Sequence, residues 1–98
     1  MPRYLTIQAI TYGEGVPAER LEALLGLELV RYRRSAPDAP VEVVEDDCED
    51  LRAMLRLSED LGINPAGVET IMHMRRRMQS LQEELRRLRA IENMYARR

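Results

Sequence analysis

Apolar residues recur at Ile71, Met74, Met78, Leu81, Leu85 and Leu88 in alternating steps of three and four. That spacing is the a/d seam of a heptad repeat. The run begins at Asn64-Pro65, an N-cap residue followed by a proline at the first helical position, where the missing N–H costs nothing. Ile63 before the cap and Val68 inside the helix are spaced to form a hydrophobic staple. No proline or glycine follows Gly67. The pattern predicts one helix from Asn64 to about Tyr95, roughly 45 Å long at 1.5 Å per residue. A body of the remaining residues is too small to cover such a rod. Its far end calls for a second copy of the chain, folding back on the body being the alternative. Glu92 stands where the next seam residue belongs, so the seam is expected to fray beyond Leu88. Helix orientation is left open. Arg77 and Glu84 at g positions suit an antiparallel pair, whereas Glu84 and Arg89 suit a parallel one.

Shorter patterns precede the seam. Thr6 is placed to cap a helix with Ile7 and Ile10 on one face, and Gly13-Glu14-Gly15 reads as a turn. Val16-Pro17-Ala18 opens a second helix with Leu21, Leu24 and Leu25 inward, capped by Gly26. Helix, glycine turn, helix is the outline of a helix-turn-helix. Residues 29–34 and Val41-Glu42-Val43-Val44 read as two strands around the loop Ser35–Pro40, which makes a wing. A carboxylate-rich stretch, Glu45 to Asp50, leads into an amphipathic helix carrying Leu51, Met54, Leu55 and Leu61 and ending at Gly62. Acidic residues in that first turn favour the positive end of the helix dipole, and Asp46 with Glu49, or Asp47 with Asp50, is spaced as a capping box. The expected fold is mainly α: a winged helix-turn-helix body over residues 1–63 with a small two-stranded wing, and a long C-terminal dimerisation helix over 64–98.

Composition narrows the chemistry. The 98 residues include no Phe or Trp, so the core is aliphatic and Met-based. All fifteen basic residues are Arg, and the formal net charge of −2 conceals a segregation. Residues 1–70 hold seven Arg against fourteen Asp and Glu, a balance of −7, while residues 71–98 hold eight Arg against three Glu, a balance of +5. One cysteine, Cys48, forms no internal disulfide, which fits a reducing cytoplasm. No apolar run approaches the roughly 18 residues of a membrane span, and Met1-Pro2-Arg3-Tyr4 lacks the apolar core of a signal peptide. With one His, no zinc spacing, no phosphate-binding glycine loop and no nucleophile–base pair, the chain is expected to be non-enzymatic and to use no metal or cofactor.

The order of parts resembles a known family. Leu5-Thr-Ile, Gly15-Val-Pro-Ala-Glu-Arg-Leu, Gly26-Leu-Glu-Leu-Val and the wing resemble the winged helix-turn-helix of MerR-type regulators. Asp50 to Ile71 resembles their next two helices, and the dimerising helix comes last there too. Within that superfamily, Val16 to Arg33 and the coiled-coil tail after Gly67-Val-Glu-Thr-Ile resemble the CbpM-like chaperone modulators. That resemblance implies a small protein that binds the J-domain of a DnaJ-like co-chaperone and restrains its action on Hsp70. The segment Leu57 to Val68 is also similar to HspR-type heat-shock repressors, which bind DNA.

The two implications call on different residues. DNA readers of the MerR type usually carry an Arg-Tyr-Tyr-like cluster on the second helix and a basic, aromatic wing tip. Here the helix reads Leu21-Glu22-Ala23-Leu24-Leu25 and the wing holds Asp38, Glu42 and Glu45. Carboxylates oppose an affinity that rests on cation–phosphate contacts. Arg20, Arg31 and Arg33 are the candidate DNA contacts, against the plainer reading that the wing arginines neutralise nearby carboxylates. For a basic J-domain, the candidate face is Glu42, Glu45, Asp46, Asp47 and Glu49, against the plainer reading of a solvated helix start. Arg75-Arg76-Arg77 reads as a solvated face, and Cys48 as a bystander.

Overall fold

Val41, Val43 and Val44 are buried, and the short strand they define is what the body is assembled around. The computed structural model describes residues 1–11 and 15–97; the predicted turn at Gly13-Glu14 lies outside them. Three antiparallel strands form one sheet in the order β1-β3-β2, with β1 Tyr4–Thr6, β2 Tyr32–Arg33 and β3 Glu42–Val44. Tyr4 pairs with Val44 and Thr6 with Glu42 on one side of β3, while Tyr32 pairs with Val43 and Arg33 with Glu42 on the other. The predicted two-stranded wing therefore gains a third strand from the chain's first residues. A three-residue strand has too little alternation to be read locally; its partner supplies the hydrogen bonds.

Helix α1, Ile7–Thr11, follows β1 directly. Thr6 Oγ1 accepts the Ala9 N–H at 3.3 Å, the expected cap, and Ile10 is buried. Helix α2, Ala18–Leu25, buries Leu24 and Leu25 with Leu21 half-buried beside them. Gly26 closes α2 in an ordinary right-handed conformation, and the left-handed turn falls two residues later on Glu28, φ 58°. A 3₁₀ turn over Glu45–Asp47 feeds α3, Cys48–Glu59, whose Cys48, Leu51, Ala53, Met54 and Leu55 enter the core. Helix α3 ends three residues before Gly62, which takes φ 65°. The helical period therefore stops short of Leu61, which is 68% exposed rather than inward, and Leu57 packs on the core in its place.

Helix α4 runs from Pro65 to Ala96. Asn64 Oδ1 accepts the Gly67 N–H at 2.8 Å, and Pro65 occupies the first turn, as its sequence implies. Val68 and Met72 are fully buried, and half-buried Ile63 packs on the same cluster. Beyond Arg76 every described residue of α4 is exposed. The helix continues to Ala96, close to the predicted end at about Tyr95, and the molecule is drawn out to 62 × 33 × 21 Å.

Candidate partner-binding surface

The candidate acidic residues fall on one continuous piece of backbone, from β3 through the 3₁₀ turn into the first turn of α3. The capping-box expectation is not met there, because Asp47, the residue before α3, makes no side-chain cap. Its carboxylate faces the sheet instead. Asp47 Oδ2 accepts the Arg31 backbone N–H at 2.7 Å and Arg31 Nε at 3.0 Å, and Oδ1 accepts Arg31 Nη2 at 3.0 Å. A bidentate guanidinium with a backbone N–H on the same carboxylate is geometrically specific. These bonds hold the Asp47 carboxyl below the usual range, against the opposing effect of its partial burial.

Neighbouring carboxylates are also paired. Glu42 Oε1 lies 3.3 Å from Arg33 Nε, and the Arg33 guanidinium sits 3.7 Å over the Tyr4 ring. Glu45 meets Arg3 at 3.3 Å. Asp46 and Glu49 are exposed and form no ion pair among the described residues. Of the five candidate acidic residues, these two present undivided negative charge.

The candidate DNA contacts are paired as well. Arg20 Nη1 reaches Glu59 Oε2 at 2.8 Å, Arg31 is held by Asp47, and Arg33 by Glu42. Arg34 Nη2 meets Glu22 at 2.6 Å. The neutralising reading of the wing arginines matches this geometry. Arg20 and Glu59 also line a cleft of about 420 Å³ between α2 and the α3–α4 turn, with Glu19 and Ile63 on its walls. The outward residues of α2 include Glu19 and Glu22, a poor surface to lay against phosphates.

One arginine departs from the expected pattern. Arg76 is not part of a solvated face: its Nη2 donates to the Leu29 carbonyl at 2.6 Å and lies 3.1 Å from Asp50. That contact ties α4 to the strand-bearing half of the body. Three consecutive arginines give no sequence signal for which one turns inward; the helical phase set by Val68 and Met72 does. Cys48 is buried, its thiol donating to the Val44 carbonyl at 3.5 Å, and burial pushes its pKa up. No group of three or more His, Cys, Asp and Glu among the described residues is arranged to hold a metal.

The seam residues sit on the outer length of α4. Ile71 is half-buried against the body, and Met74, Met78, Leu81, Leu85 and Leu88 are exposed. Exposed apolar surface continues through Ile91 and, past Glu92, through Met94 and Tyr95. Two grooves run along the base of this surface. One, of about 570 Å³, lies between α3 and α4 and is lined by Ala53, Leu57, Leu61, Ile71 and Arg75. The other, of about 330 Å³, continues along α4 past Met74 and Met78.

A helix-turn-helix, a small sheet and a long terminal helix in this order match the family model described as MerR HTH family regulatory protein, over residues 5–90. The chain belongs to that family. The match spans both the body and most of α4, so the MerR-type architecture covers the acidic strip, α2 and the seam together. No curated protein and no solved structure matches the chain. No helix among the described residues is long and apolar enough to cross a membrane.

Proposed function

We propose that this MerR-family chain is a non-enzymatic, cytoplasmic protein-binding module, acting as a homodimer through α4. In this reading it binds the J-domain of a DnaJ-like co-chaperone and restrains that protein's stimulation of Hsp70. One observation carries the choice over DNA: Arg20, Arg31 and Arg33 are each joined to a carboxylate of the body. Asp46 and Glu49, in contrast, project undivided negative charge from the start of α3. A DNA-binding regulator would have to strip those arginines from their partners and bring Glu19 and Glu22 toward the backbone. A basic protein surface meets the acidic strip with no such rearrangement, and complementary charge raises its association rate and specificity. The resemblance to CbpM-like modulators supplies the J-domain as the basic surface.

Calorimetric titration with the J-domains of the same organism's DnaJ-like proteins tests this, beside a fluorescence titration with duplex DNA from upstream of the chain's own gene. The expected result is saturable J-domain binding. Asp46→Arg with Glu49→Arg breaks none of the ion pairs described and should weaken that binding by about tenfold at physiological salt, with the helical circular dichroism unchanged. Salt-steep, sequence-selective duplex binding without J-domain binding would instead establish the transcriptional reading, which the family description favours.

A further inference from the structure

The Glu59 carboxylate is held at a cost that its surroundings do not offset. It belongs to the last residue of α3, where the negative end of the helix dipole opposes an anion. Arg56, the basic residue of that turn, lines the α3–α4 groove instead. Only one of the two oxygens is served. Oε2 accepts Arg20 Nη1 at 2.8 Å, whereas Oε1 is shielded from solvent and accepts no hydrogen bond from a described residue. Buried polar atoms are ordinarily paired, so this acceptor calls for a donor.

The cleft between α2 and the α3–α4 turn suits a cation on an apolar stem. Glu19 and Glu59 set two carboxylates against the single guanidinium of Arg20. Ala23, Leu24, Ile63 and Pro65 supply apolar wall, against which the carbon stem of a long basic side chain packs while its head finds the charge. The volume of about 420 Å³ lies in the range of sites that hold small ligands. An ammonium is a point charge, whereas a guanidinium offers two parallel N–H groups, one for each oxygen of a carboxylate. Arg20 reaches Glu59 through Nη1 alone and leaves the second oxygen unserved.

We infer that this cleft receives the arginine side chain of a bound protein, whose guanidinium replaces Arg20 and pairs with both oxygens of Glu59. The Arg20 side chain is 57% exposed, and an ion pair of that kind is weak enough to exchange. A phosphate gains nothing from the same exchange, because it would leave Glu59 facing an anion. The inference rests on the protein-binding part of the reading above, and uses neither the acidic strip nor the J-domain. Free arginine carries the same head group, but a few bonds in an open-sided cleft hold it weakly, and the remaining contacts of a protein supply the affinity.

NMR titration of the isotopically labelled full chain with N-acetylarginine amide tests the site. Saturable shifts are expected in the amides of residues 19–24 and 58–66, at about millimolar affinity. The citrulline analogue, a neutral isostere, should bind at least about tenfold more weakly, as should the arginine probe to Glu59→Gln. Arg20→Gln removes the competing guanidinium and should raise the probe's affinity by about threefold. Unchanged or lower affinity in that variant would overturn the exchange. Glu59→Gln should leave the urea midpoint level or higher, and a lower midpoint would overturn the claim that the carboxylate is held at a cost. Equal binding of the citrulline probe, tighter binding of N-acetylglutamate amide, or no shifts at all would overturn the site. Tighter binding of free arginine than of the blocked probe would overturn the assignment to a protein side chain. None of these probes is a J-domain, so failure here is separate from failure of the J-domain titration.

Discussion

Arg76→Met removes the guanidinium that ties α4 to the body while keeping an apolar stem of similar length. The wild-type side chain makes two bonds, 2.6 Å to the carbonyl of buried Leu29 and 3.1 Å to the Asp50 carboxylate. A hydrogen bond from a charged donor contributes roughly 1.5–3 kcal/mol when desolvated. Here the Arg76 side chain is 41% exposed, so its ion-pair component is screened to about 1 kcal/mol or less. The Leu29 bond adds about 1 kcal/mol, which gives a total loss of about 1–2 kcal/mol. Urea unfolding followed by circular dichroism checks this, with all variants at one protein concentration because association would shift the midpoint. Arg87→Met, in the exposed length of α4, is the control and should change stability by less than about 0.5 kcal/mol. A cycle with Asp50→Asn isolates the pair. Equal stability of Arg76→Met and Arg87→Met would refute the claim that this arginine holds the helix.

Two further outcomes are expected. Because the Asp47 carboxyl is held below the ordinary Asp value of about 3.9, its contribution to stability is full above that value and is lost as pH falls through the depressed folded one. Asp47→Asn should therefore flatten the acid side of a plot of melting temperature against pH, and an unchanged acid limb would show the pair to be inert. Glu28→Gly relieves a left-handed conformation that costs a side-chain residue about 1–2 kcal/mol, offset by up to about 1 kcal/mol of glycine entropy. The urea midpoint should rise slightly, and a fall would mean that Glu28 makes a contact outweighing its strain.

What could be read from the chain was what local rules control. Asn64, Pro65 and Ile63 specify the start of α4 through capping and staple geometry within five residues, and the helix begins there. Leu24, Leu25, Leu51 and Met54 carry an unambiguous helical period and lie in the core. The period misled at Leu61, because α3 ends at Glu59 and a left-handed Gly62 turns the chain before the pattern can continue. Strand β1 carries no local signal, because its three residues are specified by β3, some forty positions away. The acidic strip was legible as a run of carboxylates, yet which of them carry free charge was not. Asp47 and Glu42 are neutralised by Arg31 and Arg33 only once the sheet register has placed those arginines beside them.

That register also bears on what the surface is suited to meet. A helix-turn-helix does not dictate DNA binding; the residues on its outward face do. Each arginine that the sequence offers to a duplex has a carboxylate already within ion-pair distance. Exposed ion pairs are individually weak, about 0–1 kcal/mol, so phosphates are able to displace one. Displacing several at once exposes the abandoned carboxylates to the same phosphates, and the repulsion grows with every exchange. The bidentate Arg31–Asp47 pair adds a geometric obstacle, because the Arg31 backbone N–H is bonded to that same carboxylate. A cationic partner would face the reverse situation: among the described residues Asp46 and Glu49 have no ion pair to surrender, and Asp47 holds Arg31. On this skeleton Arg20, Arg31 and Arg33 turn onto the body's own carboxylates, and that pairing is the physical ground for proposing the start of α3 rather than α2 and the wing as the binding face.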